Sequence, residues 1–138
     1  MKKLKVYFAC SIRGGGDKSL YPKFIETIKS EAQLLIEDAL LPNGTPLPST
    51  DIYSRDVAWI NECDVMIAEV SNPSLGVGYE IAYAEKLGKP TLIFFSNQQE
   101  KRLSAMIEGN TALEICKYEQ FEDAKTTLVT WLHSRVTL

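Results

Sequence analysis

The chain has 138 residues, of which 45% are apolar and 24% are charged, a composition typical of one folded globular domain. Its 15 basic and 18 acidic side chains give a formal net charge of −3. This balance disfavours binding to nucleic acid or to an anionic membrane surface, and no apolar run approaches the length that spans a bilayer.

The cysteines Cys10, Cys63 and Cys116 are too widely spaced for a disulfide framework or a structural zinc site. We expect reduced thiols and a cytoplasmic location, because the N-terminus also lacks the pattern of a signal peptide. The single histidine, His133, excludes a histidine-rich metal site. Acid–base chemistry is therefore expected mainly from carboxylates, tyrosine or lysine.

Short apolar runs rich in β-forming residues alternate with amphipathic helical patterns. Five strands are predicted, in chain order, at Leu4–Cys10, Ala32–Leu41, Asp64–Val70, Pro90–Ser96 and Leu113–Tyr118. The second run also contains helix-favouring residues, and we expect only a short strand there. The third and fourth runs are too apolar to be half-exposed, which is typical of central strands buried on both faces.

Helical patterns lie between these strands and at the C-terminus. The first helix follows Ser19, a candidate cap, and the second opens near Thr50 or Asp51. The third covers Gly78–Leu87 and is stopped by Gly88. The last has an apolar face formed by Phe121, Ala124, Leu128, Trp131 and Leu132.

This alternation predicts an α/β fold with a parallel sheet of about five strands and helices on both faces. Ligands of such sheets bind beyond the carboxyl ends of the strands. We therefore expect the loops after Cys10, Val70 and Ser96 to border one crevice, within a single domain of residues 1–138.

A glycine-rich loop follows the first predicted strand. It reads Ser11-Ile12-Arg13-Gly14-Gly15-Gly16. Consecutive glycines let backbone N–H groups curl around an anion, while the serine adds a hydroxyl and the arginine a positive charge. The loop matches neither the Walker pattern nor G-x-G-x-x-G, and the alternative is a flexible loop without a ligand.

A second polar segment follows the most apolar strand and leads into a helix. We expect Glu80 in the first turn of that helix, close to the crevice, with Ser74 as a further phosphate donor. Gly76 and Gly78 would let a ligand approach the backbone closely. The alternative for Glu80 is a favourable charge at the positive end of the helix dipole.

Three other polar residues are candidates for the same crevice. Asp56 lies on the second predicted helix, and its alternative is an exposed carboxylate paired with Arg55. Tyr7 lies within the first strand, where a buried hydroxyl needs a partner such as a crevice carboxylate. Glu69 ranks below Glu80, because it precedes the loop and could serve a structural contact.

The combined motifs resemble one family closely. They are YFxxSIRGG near the N-terminus, DxxW in the middle, then AEVSNPSLGVGYE and LSAMI. In this order, over roughly residues 4 to 109, they are similar to the 2′-deoxynucleoside 5′-monophosphate N-glycosidases of the nucleoside 2-deoxyribosyltransferase superfamily. The resemblance implies a Rossmann-like (flavodoxin-like) fold and a homodimer with sites near the subunit interface.

The same resemblance implies cleavage of the N-glycosidic bond of a 2′-deoxynucleoside 5′-monophosphate. The products are a free base and 2-deoxyribose 5-phosphate, and no metal or organic cofactor takes part. Glu80 would be the nucleophile that forms a covalent ester with the sugar. Asp56 would assist protonation of the leaving base, and Tyr7 would orient the carboxylate or the sugar.

The family's binding residues also fall on matching positions. Its phosphate-binding loop corresponds to Ser11, Ile12, Arg13, Gly14, Gly15 and Gly16. Ser74 would contribute to this site, and Ser104 and Met106 would reach across into the partner subunit's site. Cys10 replaces a frequent glycine and Gly16 a frequently charged residue, so the affinity for phosphate is expected to differ from that of the family.

Two other functions remain open from the sequence. One is a deoxyribosyltransferase that exchanges bases on unphosphorylated deoxynucleosides, which would not need a phosphate loop. The other is a nucleotide sensor without catalysis, which would not need both Glu80 and Asp56. The preferred base, whether purine, pyrimidine or modified, is not marked by any motif.

Overall fold

The computed structural model describes residues 3–12, 18–36, 45–98 and 101–136. The strands are β1 (Lys5–Cys10), β2 (Gln33–Leu34), β3 (Val65–Glu69), β4 (Thr91–Ser96) and β5 (Glu114–Tyr118). The helices are α1 (Tyr21–Glu31), α2 (Ser49–Glu62), α3 (Leu75–Lys86), α4 (Ala105–Glu108) and α5 (Phe121–Val136). None of the helices in these ranges is long and apolar enough to cross a membrane.

The five strands form one parallel sheet in the order β2-β1-β3-β4-β5. This is the flavodoxin-like order, in which ligands bind at the carboxyl edge where the chain direction through the sheet reverses. The predicted parallel α/β sheet is therefore confirmed. Because β1 lies between β2 and β3, its carboxyl end is at that reversal point.

Helices cover both faces of the sheet, because successive side chains of each strand point to opposite faces. Val6 and Phe8 pack with residues of α1 and α5, whereas Tyr7 and Ala9 pack with residues of α2 and α3. Every residue of β3 and β4 is buried, as predicted for central strands. Phe24 of α1 is fully buried and contacts the rings of Phe8, Phe94, Tyr118 and Phe121.

Two expectations about helix starts are wrong, whereas the short second strand is confirmed. α3 begins at Leu75 rather than Gly78, because the Ser74 side chain caps the helix by accepting a hydrogen bond from the Val77 N–H at 3.3 Å. Glu80 therefore lies in the second turn and not the first. The residue before α1 is Leu20, and α1 has no side-chain cap, so Ser19 does not cap it. β2 is limited to Gln33–Leu34, and residues 37–41 of the predicted strand lie outside the described residues.

Candidate active site

A buried tyrosine and a half-buried glutamate join β1 to α3. Tyr7 lies in the middle of β1 and is 4% exposed, and its hydroxyl donates a hydrogen bond to Oε2 of Glu80. The contact connects residues 73 positions apart in the chain. The partner predicted for the buried Tyr7 hydroxyl, a crevice carboxylate, is thus Glu80. The position of Glu80 in the second turn also weakens the helix-dipole alternative, because that effect fades beyond the first turn.

The environment of Glu80 alters its acidity. Burial raises the pKa of Glu80 to about 7, opposed by the hydrogen bond from Tyr7 and assisted by the negative charge of Asp56. Burial and the charge of Glu80 also raise the pKa of Tyr7, so the phenol remains a hydrogen-bond donor. The pair therefore provides a carboxylate that loses its proton near neutral pH and is held in one orientation. Perturbed carboxylates of this kind are frequent at catalytic sites.

Asp56 belongs to the same group of charges. It lies on α2, where Nε of Arg55 is 3.1 Å from its Oδ1, and its side chain is 24% exposed. The Arg55 guanidinium in turn lies 4.7 Å from the centre of the Trp59 ring. The charges of Asp56 and Arg55 both act on the pKa of Tyr7, in opposite directions. Asp56 is therefore paired with Arg55, as the alternative to a catalytic role predicted. Its charge is also close enough to raise the pKa values of Tyr7 and Glu80.

The loop after β1 is described only at its two ends. Ser11 is fully buried and Ile12 is 69% exposed. Arg13, Gly14, Gly15 and Gly16 lie outside the described residues, so their predicted phosphate contacts remain a prediction. At the far end of the loop, Nζ of Lys18 donates a hydrogen bond of 2.6 Å to the Ile12 carbonyl oxygen.

Cys10, the last residue of β1, is close to several of these groups. Burial raises the pKa of the Cys10 thiol to about 12, with contributions from the charges of Glu80 and Glu69 and an opposing one from Lys18. Glu80 and Lys18 are therefore within electrostatic range of Cys10, at the carboxyl end of β1. The glycine-rich loop starts at this same point, so the candidate nucleophile and the candidate phosphate loop share one edge of the sheet.

The loop after β3 is tied to the loop after β1. Nδ2 of Asn72 donates to the Tyr21 hydroxyl at 3.1 Å, and the same hydroxyl is hydrogen-bonded to the backbone of Ser11. Ser74 accepts the capping bond of α3, which leaves its hydroxyl hydrogen available for a ligand. Gly78 lies within α3, and a Cβ atom there would meet no atom within 4 Å. Gly76 is exposed in the first turn.

Glu69 faces away from Glu80. It is 2% exposed and accepts hydrogen bonds from the backbone N–H and hydroxyl of Ser71 and from the hydroxyl of Tyr118. Burial raises the pKa of Glu69, and these three hydrogen bonds lower it. The structural contact anticipated for Glu69 is therefore present.

A cavity of about 660 Å³ lies beside α3, and Tyr7 is not among its lining residues. Its walls include Ser74 and Gly78 as well as Ser104 and Met106, but neither Glu80 nor Asp56. Ser104 caps the short helix α4, which the sequence did not predict, by accepting a hydrogen bond of 3.3 Å from the Met106 N–H. Met106 is 83% exposed, so its side chain is accessible at the surface beside this cavity.

Sequence reasoning missed two contributors to the edge of the sheet. Lys18 had a visible signal, because it follows the glycine-rich loop directly before α1. The contact between Tyr21 and Asn72 had none, because 51 residues separate the two. Among the described residues, no group of three or more His, Cys, Asp or Glu side chains is arranged to hold a metal ion.

The fold is shared with solved structures of other proteins. The solution structure of BlsM matches with a TM-score of 0.73 at 18% identity, over 99% of this chain and 95% of that one. The Clostridium botulinum CMP N-glycosidase BcmB matches with a TM-score of 0.61 at 20% identity, over 90% and 97%. These likenesses define the class of fold.

Sequence comparison identifies the family. The model described as nucleoside 2-deoxyribosyltransferase matches residues 6–126. A 5-hydroxymethyl-dUMP N-hydrolase of Mus musculus is 42% identical over 135 residues, or 93% of this chain and 77% of its own. A Syntrophotalea carbinolica protein, provisionally named 2′-deoxynucleoside 5′-phosphate N-hydrolase 1, is 35% identical over 125 residues, 87% and 88% of the two chains. The chain belongs to the nucleoside 2-deoxyribosyltransferase family, which confirms the resemblance.

Proposed function

We propose that this protein hydrolyses the N-glycosidic bond of 2′-deoxynucleoside 5′-monophosphates. The observation that carries the proposal is the hydrogen-bonded Tyr7–Glu80 pair, whose carboxylate is within electrostatic range of Cys10 at the end of β1. The names of the relatives from Mus musculus and Syntrophotalea carbinolica support the same reaction class. The sensor alternative is disfavoured, because a binding site needs no buried carboxylate whose pKa lies near neutrality.

In the proposed reaction, Glu80 attacks the anomeric carbon. Cleavage of an N-glycosidic bond passes through an oxocarbenium-like transition state, which a nearby carboxylate stabilises. The bond from C1′ to the base breaks and a bond from C1′ to an oxygen of Glu80 forms, giving a sugar ester. Water then attacks C1′ from the face that the base has left and releases the carboxylate. Tyr7 holds the carboxylate in the orientation that this attack requires.

Asp56 supplies the proton for the leaving base in this proposal. A base departs more readily when it is protonated. In glycosidases one carboxyl group donates that proton while a second carboxylate acts as the nucleophile. Asp56 lies close enough to raise the pKa of Glu80, as expected for two carboxyl groups in one site. The proton that water releases in the second step returns to Asp56, so the pair ends as it began.

The 5′-phosphate anchors the substrate at the glycine-rich loop. Ser11, Ile12, Arg13, Gly14, Gly15 and Gly16 are proposed to surround it, with the hydroxyl of Ser74 on the other side. Binding energy from a group remote from the reacting bond can position C1′ over the nucleophile. We add Lys18 to this set, because its ammonium already lies over the Ile12 carbonyl.

The substrate class is tested by scoring free base from a panel of nucleotides. The panel contains deoxy- and ribonucleoside monophosphates, the matching deoxynucleosides and 5-hydroxymethyl-dUMP. We expect release from deoxynucleoside monophosphates to exceed release from the unphosphorylated deoxynucleosides by on the order of 10²-fold or more, as for other remote charged anchors. Equal rates on both would reject the phosphate requirement.

Base exchange is the alternative reaction, and the same assay decides it. A transferase gives a new nucleoside when a second free base is added, whereas a hydrolase gives 2-deoxyribose 5-phosphate at an unchanged rate. We expect the second result. Formation of new nucleoside as the main product would replace the hydrolase with a deoxyribosyltransferase.

We also propose a homodimer in which Ser104 and Met106 complete the partner subunit's site. Support comes from exposed apolar side chains around the 660 Å³ cavity, where Leu75 is 98% and Met106 83% exposed. Tyr53 and Tyr79 extend this surface across α2 and α3 and are each more than half exposed. Contiguous exposed apolar surface of this kind marks protein–protein interfaces.

Met106→Glu is expected to convert this dimer into a monomer and to lower base release by at least ~10-fold, since a charge at the centre of an apolar interface is strongly unfavourable. Sedimentation velocity and the base-release assay measure the two effects. Thr130→Glu, on the exposed side of α5, is the matched control and should alter neither. A wild-type protein that sediments as a monomer and is fully active would contradict the dimer.

The proposed compartment is the cytoplasm. All three cysteines are free thiols, and Cys63 is buried. Free thiols are the usual state of cysteine in reducing compartments.

A further inference from the structure

The carboxylate of Glu69 is buried on the face of the sheet opposite Glu80, and the proposed reaction does not use it. It is 2% exposed, among the largest fully buried side chains. No cationic side chain of the described ranges forms an ion pair with it. A carboxyl group without a counter-ion costs free energy to bury, and an apolar residue of similar size would often be at least as stable. Packing alone therefore does not account for an acid at this position.

The hydrogen bonds of Glu69 converge on the loop that connects β3 to α3. The Ser71 backbone N–H donates to Oε1 at 2.7 Å, and the Ser71 hydroxyl donates to Oε2 at 2.9 Å. The same hydroxyl accepts a bond of 2.9 Å from the Ser96 N–H at the end of β4. Tyr118 of β5 donates to Oε2 at 2.5 Å. Glu69, at the end of β3, thus ties the start of the loop to β4 and β5.

The loop held in this way carries groups on both sides of the crevice. One residue beyond Ser71, Asn72 donates to Tyr21, which is hydrogen-bonded to the backbone of Ser11 at the start of the glycine-rich loop. Two residues further on, Ser74 caps α3 and presents its hydroxyl. Ser71 and Asn72 are each 7% exposed, so none of these bonds is freely exchanged for water. A displacement of Ser71 would shift Ser74 and would disturb the contact between Asn72 and Tyr21.

We propose that Glu69 is a positioning residue for the 5′-phosphate, acting through Ser71 to fix the loop between β3 and α3 that carries Ser74. This inference rests on the proposed function and deepens it. By the alternation of side chains along β3, Glu69 lies on the same face as Val65 and Ile67, toward α1, whereas Tyr7 contacts Glu80 on the α3 side. Loss of Glu69 is therefore expected to weaken phosphate binding while leaving the chemical step nearly intact.

The test compares three conservative variants. Glu69→Gln replaces one of the two acceptor oxygens of the carboxylate with an NH2 donor, and Ser71→Ala removes the hydroxyl that links Glu69 to Ser96. Tyr118→Phe, the matched control, removes one hydrogen bond to the same carboxylate but leaves both bonds to Ser71. For each variant, kcat and KM with a deoxynucleoside monophosphate, the Kd of inorganic phosphate by calorimetry and the urea midpoint are measured.

Glu69→Gln and Ser71→Ala are expected to raise KM and the phosphate Kd together, roughly tenfold, with kcat within about threefold of wild type, as for loss of one charge-assisted hydrogen bond. Tyr118→Phe is expected to lower the urea midpoint while KM and Kd stay within about threefold. Unchanged KM and Kd in a less stable Glu69→Gln protein would overturn the inference, because the role would then be structural only.

Two further outcomes are also decisive. If Glu69→Gln does not fold, the comparison of Ser71→Ala with Tyr118→Phe replaces it, and equal KM and Kd values in the two would overturn the inference. If the wild-type protein releases no base from any nucleotide, the proposed function fails. The phosphate Kd values of the variants then still test whether Glu69 positions the phosphate-binding loop. Wild-type protein that binds no phosphate would overturn the inference as well.

Discussion

Glu80→Gln is expected to lower the rate of base release from deoxynucleoside monophosphates by on the order of 10⁴-fold or more, the scale seen when a covalent nucleophile is removed. The amide keeps the size of the side chain and can still accept the hydrogen bond from Tyr7, but it does not form the sugar ester. The measurement is a single-turnover assay of free base with excess protein.

The same variant should remain folded and should still bind phosphate. A neutral amide avoids the cost of burying charge that raises the pKa of Glu80, so the free energy of unfolding at pH 8 is expected to equal or exceed that of wild type. Glu26→Gln, an exposed position on α1, is the matched control and should retain full activity. A Glu80→Gln protein with more than a tenth of wild-type activity would exclude Glu80 as the nucleophile.

The pH dependence of kcat/KM is the second large effect that we expect. Glu80 must be ionised to attack C1′, and its pKa is raised to about 7. We therefore expect kcat/KM to increase with pH along an acidic limb with an apparent pKa of about 7, rather than near the ordinary value of 4.5. A limb that ends below pH 5 would contradict the buried environment of Glu80.

Tyr7→Phe separates Glu80 from other groups that titrate in this range, including the phosphate of the substrate. The hydrogen bond from Tyr7 lowers the pKa of Glu80, so its removal is expected to shift the acidic limb to higher pH. Asp56→Asn removes the proposed proton donor and so lowers the rate, but it should shift the acidic limb of the remaining activity in the opposite direction, because the charge of Asp56 raises the same pKa. Ionisation of the substrate phosphate would move with neither variant.

The free energy of unfolding should decrease as Glu80 ionises, whereas kcat/KM increases. The pKa of Glu80 is higher in the folded chain than in the unfolded one, so folding favours its protonated form. Its contribution to the free energy of unfolding is complete below the ordinary pKa of 4.5 and is lost as pH rises through about 7. We measure the free energy of unfolding of wild type and of Glu80→Gln by urea titration at several pH values. The difference between the two proteins should change between pH 4.5 and about 7 and be constant at higher pH.

Much of the fold could be predicted because its signals are local. The apolar runs at β3 and β4 identified central strands, and the alternation of strands with helices identified a parallel sheet. The start of α3 was predicted three residues late, because Gly76 and Gly78 suggested a loop where the Ser74 cap in fact starts the helix. The four-residue helix α4 was not predicted, since so short a segment has no periodicity.

The candidate site was predictable only in part, because its contacts are made across the fold. The expectation that Tyr7 needs a partner follows from its place in a buried strand, but the identity of Glu80 as that partner depends on how α3 packs against β1. The convergence of Ser71, Ser96 and Tyr118 around Glu69 depends on strand order in the same way. The roles assigned to Arg13, Gly14, Gly15 and Gly16 remain predictions from the sequence.

The central claim is that the carboxylate of Glu80 becomes covalently attached to the sugar of a deoxynucleotide. A 2′-fluorinated arabino analogue of the nucleotide tests it most directly, because fluorine destabilises the oxocarbenium-like transition state and slows release of the sugar ester. Intact-protein mass spectrometry after an acid quench is expected to show one fluorinated sugar phosphate per chain, and peptide mapping should place it on Glu80. Attachment to any other residue, or turnover of the analogue without modified protein at any quench time, would contradict the account.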